Sequence, residues 1–221
     1  MGYNVFLPSN YAENKDRRYP VVYFLHGAGG TETADAGGFS GLLAKEIKGG
    51  RIPPVICVFP NGGMSGYADR PEQKVMMETF LIRELIPQID RSYRTIARRE
   101  GRSLCGFSMG GGGAIRLAVK YPDLFCAAGS WAAALGSRGG ESASDLAKKN
   151  GERIRGRVGF LLIVGDNDQT YSGHAPFLKT LEELKIPHTY RVLPGVGHNL
   201  GAYYEKTGTE IARFIAGSGN K

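Results

Sequence analysis

Six short apolar runs alternate along the chain with stretches of helical periodicity, and that alternation restricts the fold more than any other feature. The runs cover 21–25, 55–59, 103–107, 126–131, 160–164 and 189–193, are rich in Val, Ile, Phe and Leu, and are bounded by Gly, Pro or Asn. That length and composition predict buried strands. Helical patterns lie between them at 39–48, 75–89, 110–121, 143–154, 175–184 and 207–215. Pro87 falls late in the second pattern and is expected to bend its last turn. Strand–helix alternation of this kind predicts an α/β fold, a mostly parallel central sheet flanked by helices on both faces. No repeat or composition break divides the 221 residues, so 1–221 reads as a single domain.

Functional groups in a parallel sheet gather beyond the carboxyl ends of the strands. Four runs lead into such groups: His26-Gly27-Ala28-Gly29-Gly30, Gly106-Phe107-Ser108-Met109-Gly110, Gly165-Asp166-Asn167-Asp168 and Pro194-Gly195-Val196-Gly197-His198. A serine, a carboxylate and a histidine are thereby expected on one edge. Gly106–Gly110 fits G-x-S-x-G, a sharp strand-to-helix turn with the serine at its apex. Small flanking residues let neighbouring strands approach, and the helix dipole favours negative charge beside Ser108. No Lys-Ser or Lys-Thr follows the glycines, which excludes a phosphate-binding loop.

A serine hydroxyl needs a base. His26 is placed to shape its loop, His174 begins a helix, and His188 precedes a strand at the wrong edge. His198, in a Gly-rich loop after the last run, is read as the base. Asp168 lies farther out in its loop than Asp166 and is read as the acid, with Asp166 left to brace the turn. The oxyanion donors expected are the N–H of Met109 and one from the 26–30 loop, Ala28 or else Gly29. The order Ser, Asp, His is that of the α/β-hydrolase fold.

Val21–Gly27, Phe59-Pro60-Asn61-Gly62, Gly106–Gly111 and Gly197-His198 together resemble the putative-esterase (esterase D-like) family. Within it, the chain is most similar to feruloyl and acetyl xylan esterase domains of carbohydrate esterase family 1. The similarity runs from about residue 3 to 214. It implies ester hydrolysis by Ser108, Asp168 and His198 without metal or cofactor, on a small-molecule or polysaccharide-linked ester, in an extracellular setting. It also implies family strands ahead of Tyr3, with residues 3–8 the remaining one. An acyltransferase or an S-formylglutathione-type thioesterase would use the same groups, and a non-catalytic binding member shares the fold.

Substrate contacts are expected from Gly29 and from Tyr67, in the long polar loop 61–73 that could stack a ring on a sugar or aromatic acyl group. Trp131 would either wall the acyl site or pack in the core. Met76, Met77, Phe80 and Leu81 read as helix core. The formal charge of +7 is scattered and accompanies no nucleic-acid motif, so it reads as a solvated face. Cys57, Cys105 and Cys126 lie in apolar runs and are expected buried and reduced. No apolar stretch is long enough to span a membrane, and the start lacks the charged-then-apolar order of a signal peptide.

Overall fold

A computed structural model describes residues 2–136 and 141–217. Its strands are β1 (Tyr3–Phe6), β2 (Val21–Leu25), β3 (Ile56–Pro60), β4 (Asp69–Arg70), β5 (Val75–Met76), β6 (Arg102–Phe107), β7 (Ala127–Trp131), β8 (Gly159–Gly165) and β9 (Thr189–Leu193). Seven form one sheet in the order β1-β3-β2-β6-β7-β8-β9, and β4 and β5 pair as a small hairpin. Only β1 runs antiparallel in the sheet, with Tyr3 opposite Pro60. The carboxyl ends of β2, β3 and β6–β9 therefore share an edge.

Side chains alternate between the faces, as the pleat requires. Val22 and Phe24 join Phe39 and Leu43 of α1 (Ala36–Lys48) and Tyr203 and Ile211 of α7 (Leu200–Gly217). Val21 and Tyr23 face the other way. There they share a core with residues of α2 (Met77–Thr79), α3 (Ile86–Ser92), α4 (Met109–Lys120), α5 (Ala143–Ile154) and α6 (Ala175–Glu183). The three cysteines are free and buried.

The pattern at 75–89 differs from the single helix expected. Val75 and Met76 form β5, and Met76 is 43% exposed rather than core. The helix begins at Met77 and widens to a π-helical stretch over Phe80–Leu85 before α3. Pro87 explains the widening. It has no N–H for the Arg83 carbonyl, and the Ile86 N–H bonds the Leu81 carbonyl instead.

Four consecutive glycines follow Met109 at the start of α4, although each costs roughly 1 kcal/mol against alanine in a helix. Close packing makes that cost unavoidable. A Cβ on Gly110 would overlap the Leu25 carbonyl, and one on Gly112 would overlap that of Ala134. The first turn of α4 thus rests directly on the ends of β2 and of the segment after β7. Among the described residues, no helix is long and apolar enough to cross a membrane.

Candidate active site

Ser108 occupies the turn between β6 and α4 with φ 55° and ψ −117°. A non-glycine residue there is strained by about 1–3 kcal/mol. Backbone bonds hold it in place. The Ser108 N–H donates to Trp131 O at 3.0 Å, and the Ser108 carbonyl accepts from Ala134 N at 2.9 Å and Gly112 N at 3.0 Å. The half-buried hydroxyl lies 2.9 Å from His198 Nε2.

His198 follows β9, and its Nδ1 lies 2.8 Å from Asp168 Oδ2 and 3.0 Å from Oδ1. The histidine side chain is 25% exposed and the aspartate side chain 0%. An ionised carboxylate only accepts, so Nδ1 carries the proton and Nε2 is left to accept from Ser108. Burial raises the Asp168 pKa, but bonds from the Thr170 N–H and hydroxyl, the Tyr203 hydroxyl and His198 outweigh it and hold it below the ordinary carboxylate value. Thr170 supplies N and Oγ1 at 2.8 and 2.7 Å, and the Tyr203 hydroxyl lies at 2.8 Å. Tyr203 accepts in turn from Gly165 N at 2.8 Å. The ring of Phe107 lies over that of His198 with centroids 4.6 Å apart.

Asp166 sits apart from this group, accepting from Gly195 N at 2.7 Å and bracing the loop that carries His198. His26 is buried and shapes its loop: Nε2 accepts from Gly62 N at 2.9 Å and Nδ1 donates to Gly27 O at 2.7 Å. Gly27–Gly30 form a turn closed by a 3.1 Å bond, with Gly29 at φ 77° as its third residue and Ala28 exposed. The Ala28 N–H has no acceptor among the described residues. Met109 is the first residue of α4, so its N–H lacks a helical acceptor too.

Two expected substrate contacts are placed otherwise. Trp131 is 0% exposed, donates Nε1 to Thr207 Oγ1 at 2.9 Å, and meets Phe39 and Tyr204 edge-on. It faces the α1–α7 core, so it does not wall an acyl site. Tyr67 is also 0% exposed. Its hydroxyl reaches the His26 carbonyl at 3.3 Å and its ring wedges against Gly62 and Gly113. It fixes the loop and offers no free face for stacking.

Thr170, Tyr203 and Phe107 carry no reading from the sequence. Thr170 has a local signal, a hydroxyl residue two positions after the aspartate, which favours a side-chain turn. Tyr203 has none, since helix α7 alone brings it to Asp168. Among the described residues, no three His, Cys, Asp or Glu side chains group to hold a metal ion.

A family model described as "Putative esterase" matches residues 1–220. An esterase of Mycobacterium tuberculosis is 41% identical over 133 residues, which are 58% of this chain and 28% of that protein. An endo-1,4-beta-xylanase/feruloyl esterase of Xylanibacter ruminicola is 36% identical over 130 residues, 55% of this chain and 18% of that protein. The chain thus matches less than a third of the length of these relatives. A solved ferulic acid esterase superposes with TM-score 0.87 at 27% identity, covering 99% of this chain and 92% of that one.

Proposed function

Because the chain belongs to the putative esterase family and has the α/β-hydrolase fold, we propose that it is a serine carboxylesterase acting on feruloyl- or acetyl-type esters. The observation that carries this reading is the continuous line of bonds from Ser108 Oγ through His198 to Asp168, at 2.9 and 2.8 Å.

In the proposed reaction, Ser108 Oγ attacks the ester carbonyl while His198 Nε2 takes its proton. Asp168 holds the imidazole by Nδ1 and stabilises the imidazolium. The Ala28 and Met109 N–H groups receive the oxyanion. His198 then returns the proton to the departing alcohol, leaving an acyl-enzyme. Water, deprotonated by His198, attacks that acyl group, and the proton goes back to Ser108 Oγ as the acid leaves. The feruloyl reading is supported by the names of the relatives, and the acetyl reading by the sequence resemblance.

The test is Ser108→Ala assayed on methyl ferulate and 4-nitrophenyl acetate. A loss in kcat of about a thousandfold or more is expected, with the unfolding transition retained. Full activity in the variant, or no labelling of the parent protein by a fluorophosphonate, would overturn the assignment. Free acid as the main product when a sugar acceptor is present separates hydrolysis from acyl transfer.

A further inference from the structure

A cleft beside the candidate oxyanion site is lined by Met109, Gly112, Ala134, Arg70, Arg116 and Glu78. Its walls come from the loop after β3, the first turns of α4 and the segment after β7, all of which leave the catalytic edge. Its carboxylates are already engaged. Glu78 takes Lys120, the Tyr121 hydroxyl and, at 3.8 Å, Arg116. Asp69 accepts from the Thr79 N–H at 3.0 Å and its hydroxyl at 2.6 Å. Glu141 pairs with Lys149 toward solvent.

Of the two arginines, Arg116 shares Glu78 and only Arg70 is left without a counter-charge. Arg116 donates Nη1 to the Gly66 carbonyl at 3.1 Å. Arg70 Nη2 stands 3.4 Å from where a Gly66 Cβ would be. Two guanidinium groups therefore converge on one residue. Arg70 pairs with Val75 through its backbone in the hairpin, but its side chain has no hydrogen-bond or ion-pair partner among the described residues. Like charges this close in a half-buried cleft repel, and a planar anion between or beside them relieves the repulsion through paired N–H donors. Desolvation lowers the Arg116 pKa most, Glu78 pulls it back up, and the neighbouring Arg70 lowers it further.

We propose that Arg70, with Arg116 behind it, holds a carboxylate carried by the ester substrate, so that the enzyme prefers esters bearing an anionic group. The proposal rests on the esterase reading, because Met109 links the cleft to Ser108. Gly112 and Ala134 line the cleft without long side chains, and Arg70 provides its free donors.

The experiment compares the parent protein with Arg70→Met, which keeps an unbranched apolar stem, and Arg70→Lys, which keeps the charge. Two matched ester pairs are used. Methyl 4-carboxycinnamate against methyl cinnamate places the charge on the acyl side. 4-Acetoxybenzoate against phenyl acetate places it on the alcohol side. In Arg70→Met the charged-to-neutral ratio of kcat/KM should fall about tenfold for at least one pair, mainly through KM, as for loss of a charged hydrogen bond. Arg70→Lys should recover part of it. An unchanged ratio in both pairs overturns the proposal.

A binding readout keeps the two readings separate. Calorimetry of 4-carboxycinnamate with Ser108→Ala should show binding that Arg70→Met weakens by about tenfold. No binding, or equal binding in both variants, overturns the anion site whatever the parent hydrolyses. Failure of the parent on all four esters, with Ser108 unlabelled by a fluorophosphonate, overturns the esterase reading instead.

Discussion

One phenolic oxygen ties the acid of the candidate triad to the scaffold. Tyr203 donates to Asp168 and accepts from the Gly165 N–H at the end of β8. Tyr203→Phe leaves that buried N–H unpaired and removes one of the groups that keep the Asp168 pKa low. A loss of about 1–3 kcal/mol is expected in urea unfolding at neutral pH, the usual cost of an orphaned buried donor. Activity should fall with it, because Asp168 then has fewer bonds fixing it against His198. A kcat loss of about tenfold, with KM little changed, would correspond to roughly 1.4 kcal/mol of transition-state stabilisation. Retained stability and retained kcat would show that the hydroxyl does neither task. Nothing local in the sequence marks Tyr203, since its contact with Asp168 exists only once α7 has docked on the sheet.

Elements differ in how far their residues announce them. The glycines of α4 are readable from sequence because the turn they serve has one steric solution, and the structure shows what each avoids. Gly110→Ala must push against the Leu25 carbonyl, so it should destabilise by at least about 2 kcal/mol. Gly41→Ala in α1 meets nothing within 4 Å and should stabilise by about 0.5–1 kcal/mol from helix propensity alone. Chemical unfolding of the two variants checks the contrast, and equal effects would refute the close-approach argument. The buried strands were legible for a similar reason: five consecutive buried residues in β2 leave little choice but a sheet covered on both sides. Side-chain direction at strand ends was not. Trp131 closes β7 at the functional edge, yet the pleat turns it toward α1 and α7. Tyr67 reaches the interior because its backbone takes φ 55°, which no residue pattern signals. The π-helical stretch before Pro87 also escaped the 3.6-residue periodicity, because widening by one residue leaves apolar positions still facing the core.

For the whole molecule, acid stability should turn on a histidine outside the candidate triad. His174 is 0% exposed, and its Nε2 lies 3.1 Å from the Ala133 carbonyl, to which it donates. Its Nδ1 has no partner, as suits a neutral ring. Burial pushes its pKa from 6.5 down to about 4, against smaller upward pulls from the Ala133 bond and Asp168. Between those values the unfolded chain binds a proton that the folded chain refuses. Stability is therefore full above about pH 6.5 and falls as pH drops toward about 4, below which this group costs nothing further. The loss across the window is roughly 3 kcal/mol for a shift of this size. Asp168 acts lower on the scale: its depressed pKa gives stability above the unfolded value of 3.8, lost as pH falls through the folded one. The two contributions thus occupy separate pH ranges. His174→Gln keeps a side-chain N–H that can face Ala133 but cannot take the proton. Urea midpoints at pH 7.5, 5.5 and 4.5, values chosen around the roughly 4–6.5 window, should fall steeply in the parent and more gently in this variant. Parallel declines would assign the acid sensitivity to other groups. Ala133 is followed by Ala134, whose N–H holds the Ser108 carbonyl. Protonation of the His174 ring should therefore also loosen the serine turn, and activity measured on return to pH 7.5 after brief acid exposure should recover once the ring is neutral again.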